Sequence, residues 1–322
     1  MRRLAVAFGA AAAWMVAATP QAQDWPSKPV RIIAPFAAGG GSDTLGRILA
    51  TQLTEQLGTQ FYVENRGGAG GLIGSAAAAK ADPDGYTFVM SSIATHVIAP
   101  ASSTSASFHP LKDFTHVAFI GGPPTIIAVH PNFGVKTLRD LITKVKTMHQ
   151  PLPYVSPGPG TLGNLIAISL GQSAGISLSH ITYKGAGQAV TDLVAGHVPL
   201  GSITLTAALG HIRAGLIIPL AVSSANRLSG LPDVPTLKEL GYPDLTATTW
   251  FAVSAPAGLR ADIVLRLNRE IARAIQSPVV QQRLKIEEIE TESMSPSEFT
   301  KFVEDEIVRW TPVVKASSSD PN

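Results

Sequence analysis

The chain contains no cysteine among its 322 residues. This absence excludes disulfide bonds, thiolate metal ligands and a cysteine nucleophile. It also excludes a bacterial lipoprotein anchor, because that anchor is attached to a cysteine. If the protein is exported, we therefore expect it to be free rather than held to a membrane by lipid.

Aromatic and charged residues are also scarce, at 6% and 15% of the chain, whereas hydrophobic residues make up 45%. Few aromatics together with many Gly and Ala favour an α/β fold over an all-β fold. The length predicts about two domains. The formal net charge is only +2 and no basic patch stands out, which argues against a nucleic-acid partner.

The N-terminus has the pattern of a secretory signal peptide. Arg2 and Arg3 precede an apolar run from Leu4 to Ala18, and the small-residue stretch TPQAQ follows. The run is shorter than the ~20 residues that a membrane-spanning helix needs. We predict that residues 1–22 are removed after Ala22, which leaves 23 basic and 23 acidic residues in a periplasmic protein.

Short apolar runs typical of buried strands alternate with helical stripes, which predicts parallel sheets built from βαβ units. The pattern restarts after GGPP at 121–124. We predict that residues 23–124 and 249–322 form lobe 1, residues 125–248 form lobe 2, and the C-terminal helices pack back on lobe 1. Two neighbouring crossings would make a hinge with a cleft between the lobes, and ligands bind beyond the carboxyl ends of such strands.

The stretch VRIIAPFAAGGGSDT reads as a strand, a glycine loop and the start of a helix. Its glycines let backbone N–H groups approach a ligand closely, and Ser42 or Asp43 is predicted to cap the helix. Free N–H groups at a helix N-terminus favour an anion. The loop matches neither the P-loop nor the dinucleotide fingerprint, and a tight turn without a ligand remains the alternative.

Motifs for catalysis or metal binding are incomplete. GQSAG at 171–175 matches the nucleophile elbow G-x-S-x-G, but a helix precedes it where the elbow needs a strand. We therefore predict a helix C-cap there and no nucleophilic role for Ser173. The histidines lack metal-ligand spacing. We expect no catalytic residue, no metal and no cofactor.

Seven segments, in order along the mature chain, resemble one family. They are WPSKPVRIIAPFAAGGGSD, VENRGGAGG, ADPDGYTFVMSS, VSPGPGT, YKGAGQAVTDLVAGHV, RLSGLPDVPTLKELGY and WFAVSAPAG. They are similar to the Bug-type (TctC-like) periplasmic solute-binding proteins of tripartite tricarboxylate transporters. The resemblance implies a monomeric Venus-flytrap fold, with two doubly wound α/β lobes, a hinge and an inter-lobe cleft. It also implies a small carboxylated solute in the cleft and an integral-membrane transporter as partner.

The resemblance also implies which residues line the cleft. From lobe 1 these are Phe36, Ala37, Gly40, Gly41, Ser42, Asp43, Ser91, Ser92 and His96. From lobe 2 they are Ser156, Gly158, Gly160, Thr161, Lys184, Gly185, Ala186, Ile203 and Thr204. The SPGPGT loop also precedes a helix, so two helix N-termini are expected to face one ligand.

The chain departs from the family pattern at three places. Pro159 stands where relatives commonly carry Asn, Asn164 where they often have His, and Ile203-Thr204 where they often have Asp-Asn. Ile203 removes a charge, which favours a less polar carboxylate, for instance an aromatic one, over citrate.

Three other functions are open to the sequence. A binding protein that feeds a sensor has the same features as a transport receptor. A secreted hydrolase would need a nucleophile and base that no motif supplies. The effector lobes of a transcription regulator share this type of fold, but the regulator would need a helix-turn-helix where this chain has a signal peptide.

Overall fold

The computed structural model describes residues 25–102 and 107–318, so the predicted signal peptide lies outside the described residues. The strands are β1 (Val30–Ala34), β2 (Phe61–Asn65), β3 (Thr87–Ser92), β4 (Phe114–Gly122), β5 (Thr125–Val129), β6 (Leu152–Val155), β7 (Leu178–Ile181), β8 (Leu200–Thr204), β9 (Ile218–Val222), β10 (Phe251–Pro256) and β11 (Glu290–Thr291). The helices are α1 (Gly41–Leu57), α2 (Leu72–Ala79), α3 (Ala99–Ser102), α4 (Leu138–Lys146), α5 (Leu162–Ala174), α6 (Ala186–Val194), α7 (Leu205–Arg213), α8 (Ala261–Gln276), α9 (Pro278–Ile286) and α10 (Pro296–Ser318). One π-helical turn, Ala94–Ile98, leads into α3. Within these ranges no helix combines the length and apolar character needed to cross a bilayer.

The strands form two sheets, one in each lobe. The lobe 1 sheet has the order β11-β4-β10-β3-β1-β2, and the lobe 2 sheet has the order β7-β6-β8-β5-β9. The sequence predicts parallel sheets, but both sheets are mixed. In lobe 1, β10 runs antiparallel to both of its neighbours, and β5 does the same in lobe 2.

The antiparallel strands follow from how the chain passes between the lobes. Each of β5 and β10 is the first strand after a crossing, so it enters its new sheet from the side of the hinge. The two crossing segments run antiparallel beside each other and are joined by a bridge between Pro124 and Thr248. The N–H of Thr249 also donates to the carbonyl of Pro123 over 3.0 Å. The lobe boundaries at 124/125 and 248/249 stay a prediction.

The C-terminal helices bury their apolar stripes against different parts of the molecule. Ile263, Leu267 and Ile271 of α8 belong to the core of lobe 1, as expected. Phe299 and Val303 of α10 belong instead to a core that also contains lobe 2 residues. The helix α10 therefore packs on both lobes rather than on lobe 1 alone.

The GQSAG motif is the end of α5, as predicted. Gly175 is the C-cap, with the left-handed angles φ 64° and ψ 45° that favour glycine. The carbonyl of Gly171 accepts a hydrogen bond from the N–H of Ile176. Ser173 is exposed on the last turn of this helix, and the strand β7 follows it.

Candidate functional site

A small cavity lies between the lobes, beyond the strand ends of both sheets. Its lining is uncharged and consists of Phe36, Gly40, Gly41, Ser42, Ser92, Ala94, Pro157, Thr161, Leu162, Gly163, Ala186, Thr204, Thr249 and Phe251. The volume of the cavity that is open to the centre of a water molecule is about 30 Å³. One water needs ~10–15 Å³ on this measure, so the lobes are closed around room for a compact group.

The lobe 1 side of the cavity is the N-terminus of α1. Gly40 is the N-cap residue, and no side chain caps this end of the helix. The predicted cap by Ser42 or Asp43 is therefore wrong. The Oγ of Ser42 is buried and has no hydrogen-bond partner, and the carboxylate of Asp43 accepts from the N–H of Gly39, which precedes the helix. Gly41 has no room for a side chain, because a Cβ there would lie 2.7 Å from the ring of Phe251. The first-turn N–H groups of α1 therefore face the cavity without a capping side chain.

Asp43 stabilises the loop rather than lining the cavity. Its Oδ2 accepts a hydrogen bond from the N–H of Gly39 over 3.0 Å, and its Oδ1 accepts from Arg47 and Asn65. Burial opposes ionisation of Asp43, but these hydrogen bonds outweigh it and hold the pKa of the carboxyl below its usual value. The carboxylate is thus a charged, already satisfied group.

The lobe 2 side of the cavity is the N-terminus of α5. Thr161 is the N-cap residue: its hydroxyl accepts from the N–H of Asn164 and donates to the carbonyl of Gly158 over 2.7 Å. The single hydroxyl hydrogen of Thr161 is therefore engaged and is not available to a carboxylate. The remaining N–H groups of the first turn, at Leu162 and Gly163, have no partner within the helix.

A third helix, α6, closes the cavity from lobe 2. Its first residue, Ala186, is in the lining. Just before it, the carbonyl of Lys184 accepts a hydrogen bond from the N–H of Ala37 in lobe 1, over 3.0 Å. This bond holds the N-terminus of α6 against the loop that precedes α1.

The structure brings together eight of the residues predicted to line the cleft. These are Phe36, Gly40, Gly41, Ser42, Ser92, Thr161, Ala186 and Thr204. The other ten lie outside the lining: Ala37, Asp43, Ser91, His96, Ser156, Gly158, Gly160, Lys184, Gly185 and Ile203. Several of these shape the cavity indirectly, through backbone or hydroxyl contacts. Contact of any of the eighteen with a ligand stays a prediction.

Ile203 does not face the cavity, contrary to the prediction from the sequence. It is fully buried in the core of lobe 2 with Ile126 and Leu205. Successive side chains of a strand point to opposite faces, so Thr204 reaches the cavity and its neighbour does not. The apolar part of the lining comes instead from Phe36, Phe251 and Leu162.

His96 is buried away from the cavity, beside a second histidine. Its ring lies 5.7 Å from the ring of His116, and its Nδ1 is 3.0 Å from the hydroxyl of Thr95. Burial, and then repulsion from His116, lower the pKa of His96 well below its usual value. Burial lowers the pKa of His116 to about 4. Both imidazoles are therefore neutral at pH 7.

Six lining residues are not among the contacts predicted from the sequence: Ala94, Pro157, Leu162, Gly163, Thr249 and Phe251. Thr249 and Phe251 belong to the returning crossing segment and the start of β10. The predicted hinge at Thr249 could have indicated these two residues, because a segment that returns between two lobes lies at the base of their cleft. Leu162 and Gly163 follow the predicted loop directly in the sequence.

Known proteins resemble this chain over nearly its whole length. The family model for the tripartite tricarboxylate transporter family receptor matches residues 45–318. The protein BugT of Bordetella pertussis is 35% identical over 305 residues, which cover 94% of each chain.

Solved structures agree with this relationship. An R. palustris protein solved with adipate is 33% identical with a TM-score of 0.88, and the match covers 91% of this chain and 98% of that one. The periplasmic binding protein BugD is 29% identical with a TM-score of 0.88, covering 92% and 100%. The two-lobed fold of periplasmic binding proteins is thereby confirmed, as is the resemblance read from the motifs, and the chain belongs to the receptors of the tripartite tricarboxylate transporter family.

Proposed function

We propose that this chain is a periplasmic receptor that encloses a small carboxylate between its lobes and delivers it to an integral-membrane transporter. The observation that carries this proposal is the hydroxyl of Ser42, which is buried at the cavity without a partner in the protein. It lies beside the N-terminus of α1, opposite those of α5 and α6. An anion at this place would accept from the hydroxyl and from first-turn N–H groups of both lobes.

The number of helix ends limits the charge that the cavity can hold. Each helix N-terminus carries roughly half a positive charge, so α1, α5 and α6 together supply about +1.5. A buried charge needs compensation, and no lysine or arginine is in the lining. A mono- or dicarboxylate suits this arrangement better than the trianion of citrate. The relative solved with adipate supports the dicarboxylate end of this range.

The lining also indicates how polar the rest of the ligand is, apart from its carboxylate. The rings of Phe36 and Phe251, with Leu162 and Pro157, supply apolar surface next to the hydroxyls. Apolar lining with a few polar groups is typical of small-molecule sites. We therefore propose a carboxylate whose body is apolar or aromatic, bound and released without chemical change.

A thermal-shift screen with adipate, benzoate, phthalate and citrate tests this function. A ligand at one hundred times its Kd adds about 2.7 kcal/mol to the free energy of unfolding. We expect adipate or an aromatic acid to stabilise the protein more than citrate does, and mass spectrometry to recover the ligand unaltered. Stabilisation by citrate above all others, or a converted ligand, would contradict the proposal.

The substitution Ser42→Ala should weaken binding of the best acid in that screen by roughly ten- to a hundredfold. A hydrogen bond to a charged group contributes about 1.5–3 kcal/mol, and each 1.4 kcal/mol is a factor of ten. Calorimetry measures the change. Ser75→Ala is a matched control, because Ser75 also has a buried hydroxyl without a partner but lies outside the cavity lining. Equal affinities of the two variants would count against Ser42 as a ligand donor.

Delivery to a transporter and a monomeric state are parts of the same proposal. A protein that serves a sensor would bind its ligand in the same cavity. Binding experiments therefore cannot distinguish the two roles, whereas experiments in the cell can. We expect deletion of the gene to abolish uptake of the labelled ligand. Normal uptake with loss of a transcriptional response would favour the sensor.

A further inference from the structure

We propose that Gly187 is a positioning residue that allows the lobes to close, although it does not line the cavity. Gly187 lies in the first turn of α6 in lobe 2. A Cβ built on it would fall far inside van der Waals contact of the carbonyl oxygen of Ala38 in lobe 1. The atoms that this Cβ would meet belong to the backbone, so no side chain can move aside to relieve the contact.

Neighbouring contacts show that this is the surface on which the lobes meet. A Cβ on Gly185 would lie 2.9 Å from the N of Ala37, and one on Gly39 would lie 3.6 Å from the Cα of Gly187. The hydrogen bond between Ala37 and Lys184 runs through the same patch. The glycines at the start of α1 and in the KGAG segment (184–187) thus have two roles. Gly40 and Gly41 face the cavity, whereas Gly39, Gly185 and Gly187 let two backbones touch.

The consequence for binding is that closure depends on a position without a side chain. An alanine methyl at this point separates α6 from the loop before α1, and Ala186 then no longer covers the cavity. For its effect on the ligand the inference rests on the receptor function proposed above. The closure itself can be measured without any ligand.

The chain offers a matched pair of substitutions. Gly187 and Gly210 both lie inside lobe 2 helices, and neither has a positive φ. A Cβ on Gly210 meets nothing within 4 Å. Glycine inside a helix is intrinsically less favourable than alanine, so neither Gly187→Ala nor Gly210→Ala should destabilise its own lobe. Only the first introduces a contact between lobes.

Disulfide trapping measures closure directly, because the protein has no cysteine of its own. A Cβ on Gly40 lies 3.8 Å from the Cβ of Ala186, the usual separation across a disulfide. In the Gly40→Cys/Ala186→Cys background, under fixed oxidant, Gly187→Ala should slow the crosslink at least about tenfold. Gly210→Ala should leave the rate unchanged.

Equal crosslinking rates for the two variants would overturn the proposal, and so would a double-cysteine parent that does not crosslink. Because no ligand is present, neither result depends on the carboxylate site. In the chain without cysteine, Gly187→Ala should also weaken adipate binding at least about tenfold, through faster dissociation. Failure of adipate to bind any variant, wild type included, would count against adipate as the ligand of the proposed receptor and leave the crosslinking result standing.

Discussion

Replacing Glu306 by alanine should lower the free energy of unfolding by roughly 3–5 kcal/mol. The carboxylate of Glu306 is buried and accepts hydrogen bonds from two indole N–H groups, Trp250 over 2.9 Å and Trp310 over 3.2 Å. Each buried donor left without an acceptor costs about 1–3 kcal/mol, and the truncation also leaves a cavity. Urea unfolding measures the loss.

Two further variants separate this cause from other effects of the mutation. Glu306→Gln keeps an oxygen that can accept from both indoles, so we expect it to cost less than about 1 kcal/mol. Glu304→Ala removes an exposed glutamate from the same helix and should be nearly neutral. A Gln variant as unstable as the Ala variant would show that charge, rather than acceptance from the indoles, matters at this position.

Acid should destabilise the protein through its buried histidine pair. The folded-state pKa of His116 is about 4, against an ordinary value of 6.5. Between these two pH values the unfolded chain binds a proton that the folded chain does not, so stability falls as the pH falls. The shift corresponds to about 3 kcal/mol, lost progressively from pH 6.5 down to about 4. Below pH 4, His116 is protonated in both states and no longer contributes to the change of stability with pH.

The substitution His116→Gln tests this origin, because glutamine does not titrate. We expect the variant to lose about 3 kcal/mol less than wild type between pH 6.5 and 4 in urea unfolding. His149→Gln is the control, since His149 is exposed on the surface, where a substitution changes stability little. Identical pH profiles for wild type and His116→Gln would rule out His116 as the source.

The fold was accessible from sequence because its signals are local. Alternating strands and helical stripes indicate α/β lobes, and the restart of the pattern after GGPP indicates the second lobe. The antiparallel direction of β5 and β10 was not accessible, because it depends on where a crossing strand inserts in a sheet. The packing of α10 on both lobes was missed for a related reason: a stripe shows that a helix is buried, not which surface covers it.

The sequence predicts which loops border the cavity, but it predicts less well which side chains face it. A glycine loop before a helix indicates N–H groups at a cavity, and both predicted loops do border it. Which hydroxyls are free was beyond the sequence: Ser42 and Thr161 look alike as loop residues, yet only the hydroxyl of Thr161 is engaged in capping. Ile203 was placed at the wrong surface because strand register decides its direction. His96 follows a strand end as predicted but turns into the core.

The core that α10 shares with both lobes has a mechanical consequence. Phe299 and Trp250 lie in one apolar cluster with Tyr154 and Leu165 of lobe 2, beside the two crossing segments. Lobes joined only by two strands could swing freely, whereas lobes that share packed side chains must slide over one another while staying in contact. Such shear motions are small for each packed pair. We therefore expect the lobes to separate only slightly at the cavity mouth when they open. The helix α10 stays packed on both lobes during this motion and keeps them aligned.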